Sequence, residues 1–558
     1  MTTHSAHRAS VQTVRRVIRV RLDPEFAARP FLDGMLGGVF SALGTSHLIG
    51  TDIDWRNNPS TDIEWLIILN KFYHAPGTVQ AWIDTGDRRY LNAWKGQVRG
   101  WIATMEPGFV AADVTGRRLQ NWIYALSLWD EYGSDNDSEF RDLADHSIAR
   151  QAEWLRDNLH PSRNHRTLEL LALLMVSVWL DDLAAAAWVM DAIADNAAAD
   201  FLPDGVHVEL SSHYHCLALR NFIDAMNIAA DNGIAIPAAL SQTVKKAEHF
   251  AHALHKPDGF IPALSDADVG DYRAILGTAP TLAKCEVFPD AGYVFLRDEA
   301  AVAGDPDGQY LVFDCGPLGA GNHGHLDCLS FELAALGRSL IVDPGRYTYF
   351  EGGPVNERAG FRGTAAHNVV QVDGREQTAY RQGPKRMKIA GPAPDAALFH
   401  ADAQMVHARA ESHEVNVINE RIIMRSEDSW WLIHDRLISE APHDYDLRLQ
   451  LSPEAQDHVH QVEPASGTRA FLSPELLVVP LTSDTARISV EQGWFAPRYG
   501  ERHAAPRLRV RQQATSSWFS TLIVPFRGAM PDIDFACDGF RIRVRIGKGA
   551  PEEKELPC

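Results

Sequence analysis

The chain has 558 residues, too many for one ordinary hydrophobic core, so two or three domains are expected. Its 45% hydrophobic and 23% charged residues describe an ordinary globular protein, neither disordered nor membrane-embedded. With 53 Lys and Arg against 73 Asp and Glu the formal charge is −20, which excludes a general nucleic-acid or anionic-membrane binder; a polyanion would need a pocket built from particular Arg, Lys and His residues.

The N-terminus is polar. Val14-Arg15-Arg16-Val17-Ile18-Arg19-Val20-Arg21 lacks the apolar region of an export signal, and no apolar segment follows Arg15-Arg16 as a twin-arginine signal requires. From about residue 24 to about residue 255 the apolar spacing predicts helix after helix, as in residues 62–72, 154–159 and 168–179. Alanine is dense over residues 183–201, as where helices pack closely. Turn signals stand at Thr85-Gly86-Asp87, Gly133-Ser134-Asp135 and Pro203-Asp204-Gly205. Many helices on short loops favour a helical toroid or incomplete barrel over a simple bundle. The most apolar run, residues 170–180, is about half a membrane span.

Residues 256–280, with their Pro, Gly and Asp, read as a connection. From about Cys285 the pattern turns to strands, in residues 291–297, 309–314, 430–435, 522–525 and 541–546. Asp373-Gly374 after the apolar run 369–372 is a hairpin signal. This half reads as stacked antiparallel sheets, and residues 549–558 as a solvated tail. The six cysteines (Cys216, Cys285, Cys315, Cys328, Cys537, Cys558) are scattered without CxxC pairing, which suits a reducing compartment; the cytoplasm is the expected location.

The most informative stretch is Gly321-Asn322-His323-Gly324-His325-Leu326-Asp327, ahead of Leu340-Ile341-Val342-Asp343-Pro344-Gly345 and Ala366-His367-Asn368. In extended chain, residues at i and i+2 point the same way. His323 and His325 can share a pocket, with Asp343 and His367 arriving from neighbouring strands. Two His and one Asp suit zinc and leave the other histidine for proton transfer. In the helical half, Arg163-Asn164-His165-Arg166 opens an apolar helix, where Asn164 suits an N-cap. Val208-Glu209-Leu210-Ser211-Ser212-His213-Tyr214-His215 holds a tyrosine whose bland reading is a half-buried residue with a satisfied hydroxyl.

Taken together, these segments resemble the heparinase II/III-like polysaccharide lyases, a group that includes oligoalginate lyases. The resemblance runs over most of the chain, through Asp54-Trp55-Arg56-Asn57-Asn58-Pro59, Glu64-Trp65, Asp84-Thr85-Gly86-Asp87, Gly116-Arg117-Arg118-Leu119-Gln120-Asn121-Trp122, Asn164-His165 and Glu209-Leu210-Ser211 with Tyr214-His215. The block from His323 through Asp343-Pro344-Gly345 to His367-Asn368 is its most specific part. It implies an N-terminal (α/α) toroid over residues 1–280, carrying an Asn and Tyr wall. A C-terminal antiparallel β-sandwich domain follows over residues 281–558, carrying the catalytic histidine and metal site.

The implied reaction is β-elimination at a uronic acid. Removing the C5 proton builds a second negative charge beside a carboxylate, so donors must neutralise that group before the proton leaves. Asn164 matches the family's carboxylate-binding Asn, with His165 as a helper. Tyr214 and His323 match the catalytic tyrosine and histidine. If proton and leaving group depart from one face, Tyr214 serves as base and acid; if from opposite faces, His323 is the base and Tyr214 the acid. The resemblance assigns a metal, expected to be zinc with a bracing role, to His325, Asp343 and His367.

Arg117, Arg118, Arg346, Arg362 and Glu209 are candidates for sugar binding, with Arg163, Arg166, Tyr347, Tyr349 and Arg358 behind them. Trp55, Trp65, Trp94, Trp101 and Trp122 could stack on sugars, but at helical spacing most are expected in the core. Many relatives carry export signals; lacking one, this chain is expected to act from a chain end on imported acidic oligosaccharides. No organic cofactor, nucleic acid or membrane partner is expected, and homo-oligomerisation is left open. Two other readings stand: a glycoside hydrolase on the same toroid, for which Glu209 with Asp204 or Asp327 makes no convincing carboxyl pair, and a non-catalytic carbohydrate-binding or metal-storage protein.

Overall fold

Asp62 illustrates how the helical half is punctuated. Its side chain accepts a hydrogen bond from the Glu64 backbone N–H and caps the helix Ile63–Lys71, which Phe72 ends in the left-handed region at φ 57°. The computed structural model describes residues 17–320, 323–352, 354–382, 387–427, 430–463, 469–483 and 485–557. Val14, Arg15, Arg16, Gly321, Asn322 and Cys558 lie outside the described residues.

Longer helices follow at His74–Thr85, Arg88–Thr104, Ala112–Tyr132, Ser138–Asp157, Arg163–Trp179, Leu183–Asp200, Ser212–Asp231 and Ala238–Leu254. The expected breaks are present. Gly86 and Gly133 close helices at φ 70° and 64°, and Asp87 caps the next one. One piece of this half is not helical: Val39–Ala42 pairs antiparallel with Thr45–Leu48 around Leu43 and Gly44. All five tryptophans named above are at most 1% exposed and belong to the core. No described helix is long and apolar enough to cross a membrane.

Beyond Cys285 the described strand pairs are all antiparallel. Cys285–Phe288, Tyr293–Arg297, Tyr310–Asp314, Phe331–Ala335 and Arg338–Ile341 form a meander. An eight-stranded sheet runs from Asp395–Ala401 through Trp431–Ile438 and Ser517–Pro525 to His460–Val462. A four-stranded sheet joins Arg487–Arg498, Glu501–Ala514, His443–Gln450 and Val370–Val372. Phe313 and Phe331 of the meander share one apolar cluster with Trp431 and Ile523 of the large sheet and with Leu449 and Leu508 of the four-stranded sheet. Leu432 and Leu522, on the other face of the large sheet, pack with Phe535 and Val544 of a three-stranded sheet. This is face-to-face stacking of alternating strands.

Asp373 and Gly374 do form a turn with positive φ, 53° and 65°, but Val370–Val372 pairs with His443–Gln450 rather than with the chain that follows it. Asp373 instead accepts from the Asp444 backbone N–H and from His443. The tail is not simply solvated: Glu552–Glu555 pairs with Arg541–Ile546, and Leu556 is 4% exposed against the apolar face.

The chain divides into two compact units. One comprises Met1–Ala197 with Asn221–Ser241; the other comprises Ala198–Arg220 with Gln242–Cys558. The second unit thus takes in the segment 198–220, so Tyr214 belongs to the same unit as the sheets.

Candidate active site

Within the second unit, the segment before Tyr214 is stitched to the chain leading into His323. Ala320 N–H donates to the Val208 carbonyl at 2.6 Å, and the Tyr293 hydroxyl donates to the Leu210 carbonyl at 2.7 Å. A Cβ at Gly319 would fall 2.6 Å from the Glu209 carbonyl oxygen, so this approach requires glycine. Tyr214 lies in the first turn of Ser212–Asp231, and its ring faces His323 at 4.0 Å between centroids. Its hydroxyl is 2.7 Å from the Tyr349 hydroxyl and accepts from Arg346 Nη1 at 3.3 Å. Arg346 also donates to the Tyr349 hydroxyl at 2.5 Å, while Asp268 holds its Nε and Nη2 at 3.1 and 2.5 Å. Burial raises the pKa of Tyr214 and the Arg346 charge opposes that without overcoming it, so the phenol keeps its proton at neutral pH.

His323 and His325 do point the same way, and both meet one carboxylate. Asp266 Oδ2 lies 2.9 Å from His323 Nδ1, and its Oδ1 lies 2.9 Å from His325 Nε2. Arg358 donates to both of these oxygens. Asp266 is fully buried, which alone would raise its pKa; the Arg358 charge and the two histidine hydrogen bonds outweigh that and hold it well below the usual carboxylate range. The Asp266 N–H donates to the His323 carbonyl at 3.0 Å, so backbone and side chain both tie this loop to the histidine segment. On the other side of the ring, His323 Nε2 is 3.8 Å from Glu209, itself 2% exposed.

Sequence reasoning gave Asp266 and Asp268 no role. The available signal was two aspartates at i and i+2 within the connecting segment Ser265-Asp266-Ala267-Asp268. Two expected sugar-binding residues prove to be internal. Arg362 is 1% exposed; its Nε donates to the Gly324 carbonyl at 2.7 Å and its own carbonyl accepts from Leu326 at 3.0 Å, so it braces the histidine loop. Arg118, in the first unit, is fully buried, donates to Gln151, Thr115 and the carbonyls of Asn70 and Pro107, and lies 3.8 Å over the Trp101 ring. It is a core residue. Arg117 is half-buried and donates to Gln120 at 2.7 Å.

The other two members of the expected site lie in the first unit. Arg163–Trp179 is preceded by Ser162 at the N-cap position, so Asn164 falls inside the first turn rather than at the cap. His165 is half exposed, stacks on His160 at 5.0 Å, and lies 3.6 Å from Asp113, which also meets Lys71 at 3.4 Å. Burial opposes ionisation of Asp113, but Lys71 and His165 outweigh it and hold its pKa low. His160 is in turn held by buried Glu169, with Nδ1 to Oε1 at 2.5 Å.

His325, Asp343 and His367 each offer a ligand atom, all within 4.8 Å of one another and all buried. Nδ1 of His325 and Nε2 of His367 are buried nitrogens with no hydrogen-bond partner among the described residues. Asp314 and Asp327 are buried nearby; burial raises the pKa of Asp327 to about 6 and that of Asp314 well above the carboxylate range, with neighbouring carboxylates adding to both. Two orphaned imidazole nitrogens beside an excess of buried acid fit a divalent cation.

Sequence profiles and related proteins identify the family and the fold. The profile for the Heparinase II/III N-terminus matches residues 28–293, and that for Heparinase II/III-like, C-terminal, matches residues 280–536. A heparin-sulfate lyase from Bacteroides stercoris is 23% identical over 517 residues, 81% of this chain and 74% of that protein. One from Bacteroides thetaiotaomicron is 21% identical over 416 residues, 64% of this chain and 59% of that protein. A crystal structure of heparinase III superposes with a TM-score of 0.79 at 16% identity, covering 99% of this chain and 94% of its own. Helical toroid followed by antiparallel β-sandwich is the fold these chains share, and the class it defines here is a polysaccharide lyase. The chain belongs to the heparinase II/III-like family.

Proposed function

We propose that the protein cleaves uronic-acid-containing acidic glycans by β-elimination, leaving an unsaturated uronate, and that it works from a chain end on oligosaccharides. The observation that carries this is the setting of Tyr214, whose hydroxyl accepts from Arg346 and whose ring faces that of His323. In the reaction the C5–H bond breaks, its electrons form the C4–C5 double bond, the C4–O bond breaks, and the departing oxygen takes a proton. Tyr214 retains its proton at neutral pH and is the donor to that oxygen; His323 takes the C5 proton when the two groups leave from opposite faces. Where they leave from one face, Tyr214 first loses its proton, takes the C5 proton as the phenolate, and passes it to the departing oxygen. Donors to the uronate carboxylate contribute roughly 3 kcal/mol each as charge develops. Asn164, with His165, is assigned that role through its match to the family motif.

A zinc ion is proposed at His325, Asp343 and His367, where bound it supplies positive charge that braces the buried acidic loops. Elimination needs no nucleophilic water. Division of the chain near residue 280 into a helical toroid and an antiparallel β-sandwich domain is part of the same proposal. The relatives named heparin-sulfate lyases put heparin-sulfate fragments first in a substrate panel that also holds alginate and hyaluronan fragments. Five described cysteines are free thiols, which supports a cytoplasmic role on imported oligosaccharides.

A hydrolase needs two available carboxyl groups flanking the bond. Asp266 and Asp268 are instead each committed to an arginine in a two-point pair, which favours elimination. The panel decides between them. New reducing ends with rising ultraviolet absorbance from an unsaturated sugar support the proposal; reducing ends without that absorbance refute it.

A further inference from the structure

We propose that Asp266 is a positioning residue that sets the tautomers of two histidines at once, making one a proton acceptor and the other a metal ligand. This rests on the elimination reading above for its catalytic half only. An ionised carboxylate accepts hydrogen bonds and donates none, so each histidine nitrogen facing it carries the hydrogen. Oδ2 faces His323 at Nδ1, at 2.9 Å. The hydrogen therefore sits on Nδ1, and the lone pair sits on Nε2, the nitrogen turned away from Asp266.

Oδ1 faces His325 at the other ring nitrogen, Nε2, also at 2.9 Å. There the lone pair falls on Nδ1, the buried nitrogen grouped with Asp343 and His367 that finds no hydrogen-bond partner among the described residues. One carboxylate thus fixes opposite tautomers two residues apart. Carboxylate partners of this kind orient metal-bound histidines and tune their basicity.

Asp266 is itself immobilised. Arg358, 1% exposed, grips both oxygens, and the Asp266 backbone N–H bonds the His323 carbonyl. Ser265, just before it, adopts φ 59°, a left-handed conformation that a non-glycine residue takes only under constraint. The geometry also couples the two functions. Rotation of this carboxylate away from His325 would turn it away from His323 as well.

The test is Asp266→Asn, which keeps shape but can accept from only one of the two histidines through its single oxygen. Three readouts are taken: kcat and KM on a uronate oligosaccharide, zinc affinity by chelator competition, and histidine tautomers in the wild-type protein by nitrogen-15 NMR. The His323 and His325 signals are assigned from single-alanine variants.

The expected result is a kcat loss of about 100-fold or more with KM changed less than about threefold, and zinc affinity weakened about 10- to 100-fold. The wild type should show hydrogen on Nδ1 of His323 and on Nε2 of His325. A folded Asp266→Asn protein with kcat and zinc affinity both within twofold of wild type overturns the proposal, as does the opposite tautomer on either ring. If the variant does not fold, the wild-type tautomers decide. If the wild type forms no unsaturated product on any uronate, the elimination reading fails by itself, and zinc affinity with the tautomers still decides the role of Asp266.

Discussion

Arg346 Nη1 stands 3.3 Å from the Tyr214 hydroxyl, while Asp268 holds the rest of the guanidinium in a two-point grip. The cation is aimed at the oxygen that gains negative charge when the phenol gives up its proton. Tyr214→Phe removes that oxygen and should lower kcat by about 10²- to 10⁴-fold with the melting temperature little changed. Arg346→Lys keeps the charge but not the fork, and should cost on the order of tenfold or more. Steady-state kinetics on a uronate oligosaccharide checks both. A Tyr214→Phe enzyme within threefold of wild type would remove Tyr214 from the reaction.

His367→Ala takes away one of the three buried candidate ligands. Metal analysis of the purified protein should find about one zinc per chain in the wild type and close to none in the variant, together with a lowered melting temperature. Wild-type protein purified without chelators and holding no stoichiometric metal would contradict the site.

Arg118→Ala should act on stability and not on substrate. It leaves a cavity and takes the Arg118 donor from the amide oxygen of Gln151 and the Asn70 carbonyl, while the Pro107 carbonyl keeps the Thr115 hydroxyl, costing about 2–5 kcal/mol. Urea unfolding should show the loss, and KM measured where the variant is folded should match wild type. A raised KM at unchanged stability would restore Arg118 to the sugar site.

Three buried histidines give the protein an acid-sensitive stability. Burial lowers the pKa of His74, His215 and His434 to about 4. The His215 Nδ1 accepts from the His207 backbone N–H while its Nε2 donates to the Ala247 carbonyl, so protonation would break the first bond. Unfolded, each imidazole titrates near 6.5. Between about pH 6.5 and pH 4 the unfolded chain therefore binds more protons, and stability falls as pH falls, by up to about 3 kcal/mol per histidine. Buried carboxyls such as Asp327, raised to about 6, act in the opposite sense over the same window. The histidine contribution is therefore read as the gap in denaturant midpoint between wild type and His434→Gln, which should narrow as pH falls; a constant gap would mean the ring is already solvated.

Periodicity alone separated helix from strand here because the two halves bury their apolar residues at different spacings. The pairing of Val370–Val372 escaped it, since a turn at Asp373 and Gly374 fixes the direction of the chain and not its partner strand. Arg117 and Arg118 looked equivalent in a row, yet neighbours on a helix diverge by about 100°, and here Arg118 faces the core while Arg117 stays half exposed. The histidine segment was legible from its i, i+2 spacing. Asp266, which holds both of its rings, was not: it comes from a loop of turn-forming residues, and long-range hydrogen bonding leaves no local pattern. Nor did helical spacing reveal that residues 198–220 group with the sheets.

The most direct measurement is the mass balance of one cleavage. A defined uronate oligosaccharide is digested and both fragments are weighed by mass spectrometry. Elimination gives two fragments whose masses add up to that of the substrate, one of them absorbing in the ultraviolet. Fragments whose masses exceed the substrate by one water, with no such absorbance, would show hydrolysis and contradict elimination at Tyr214 and His323.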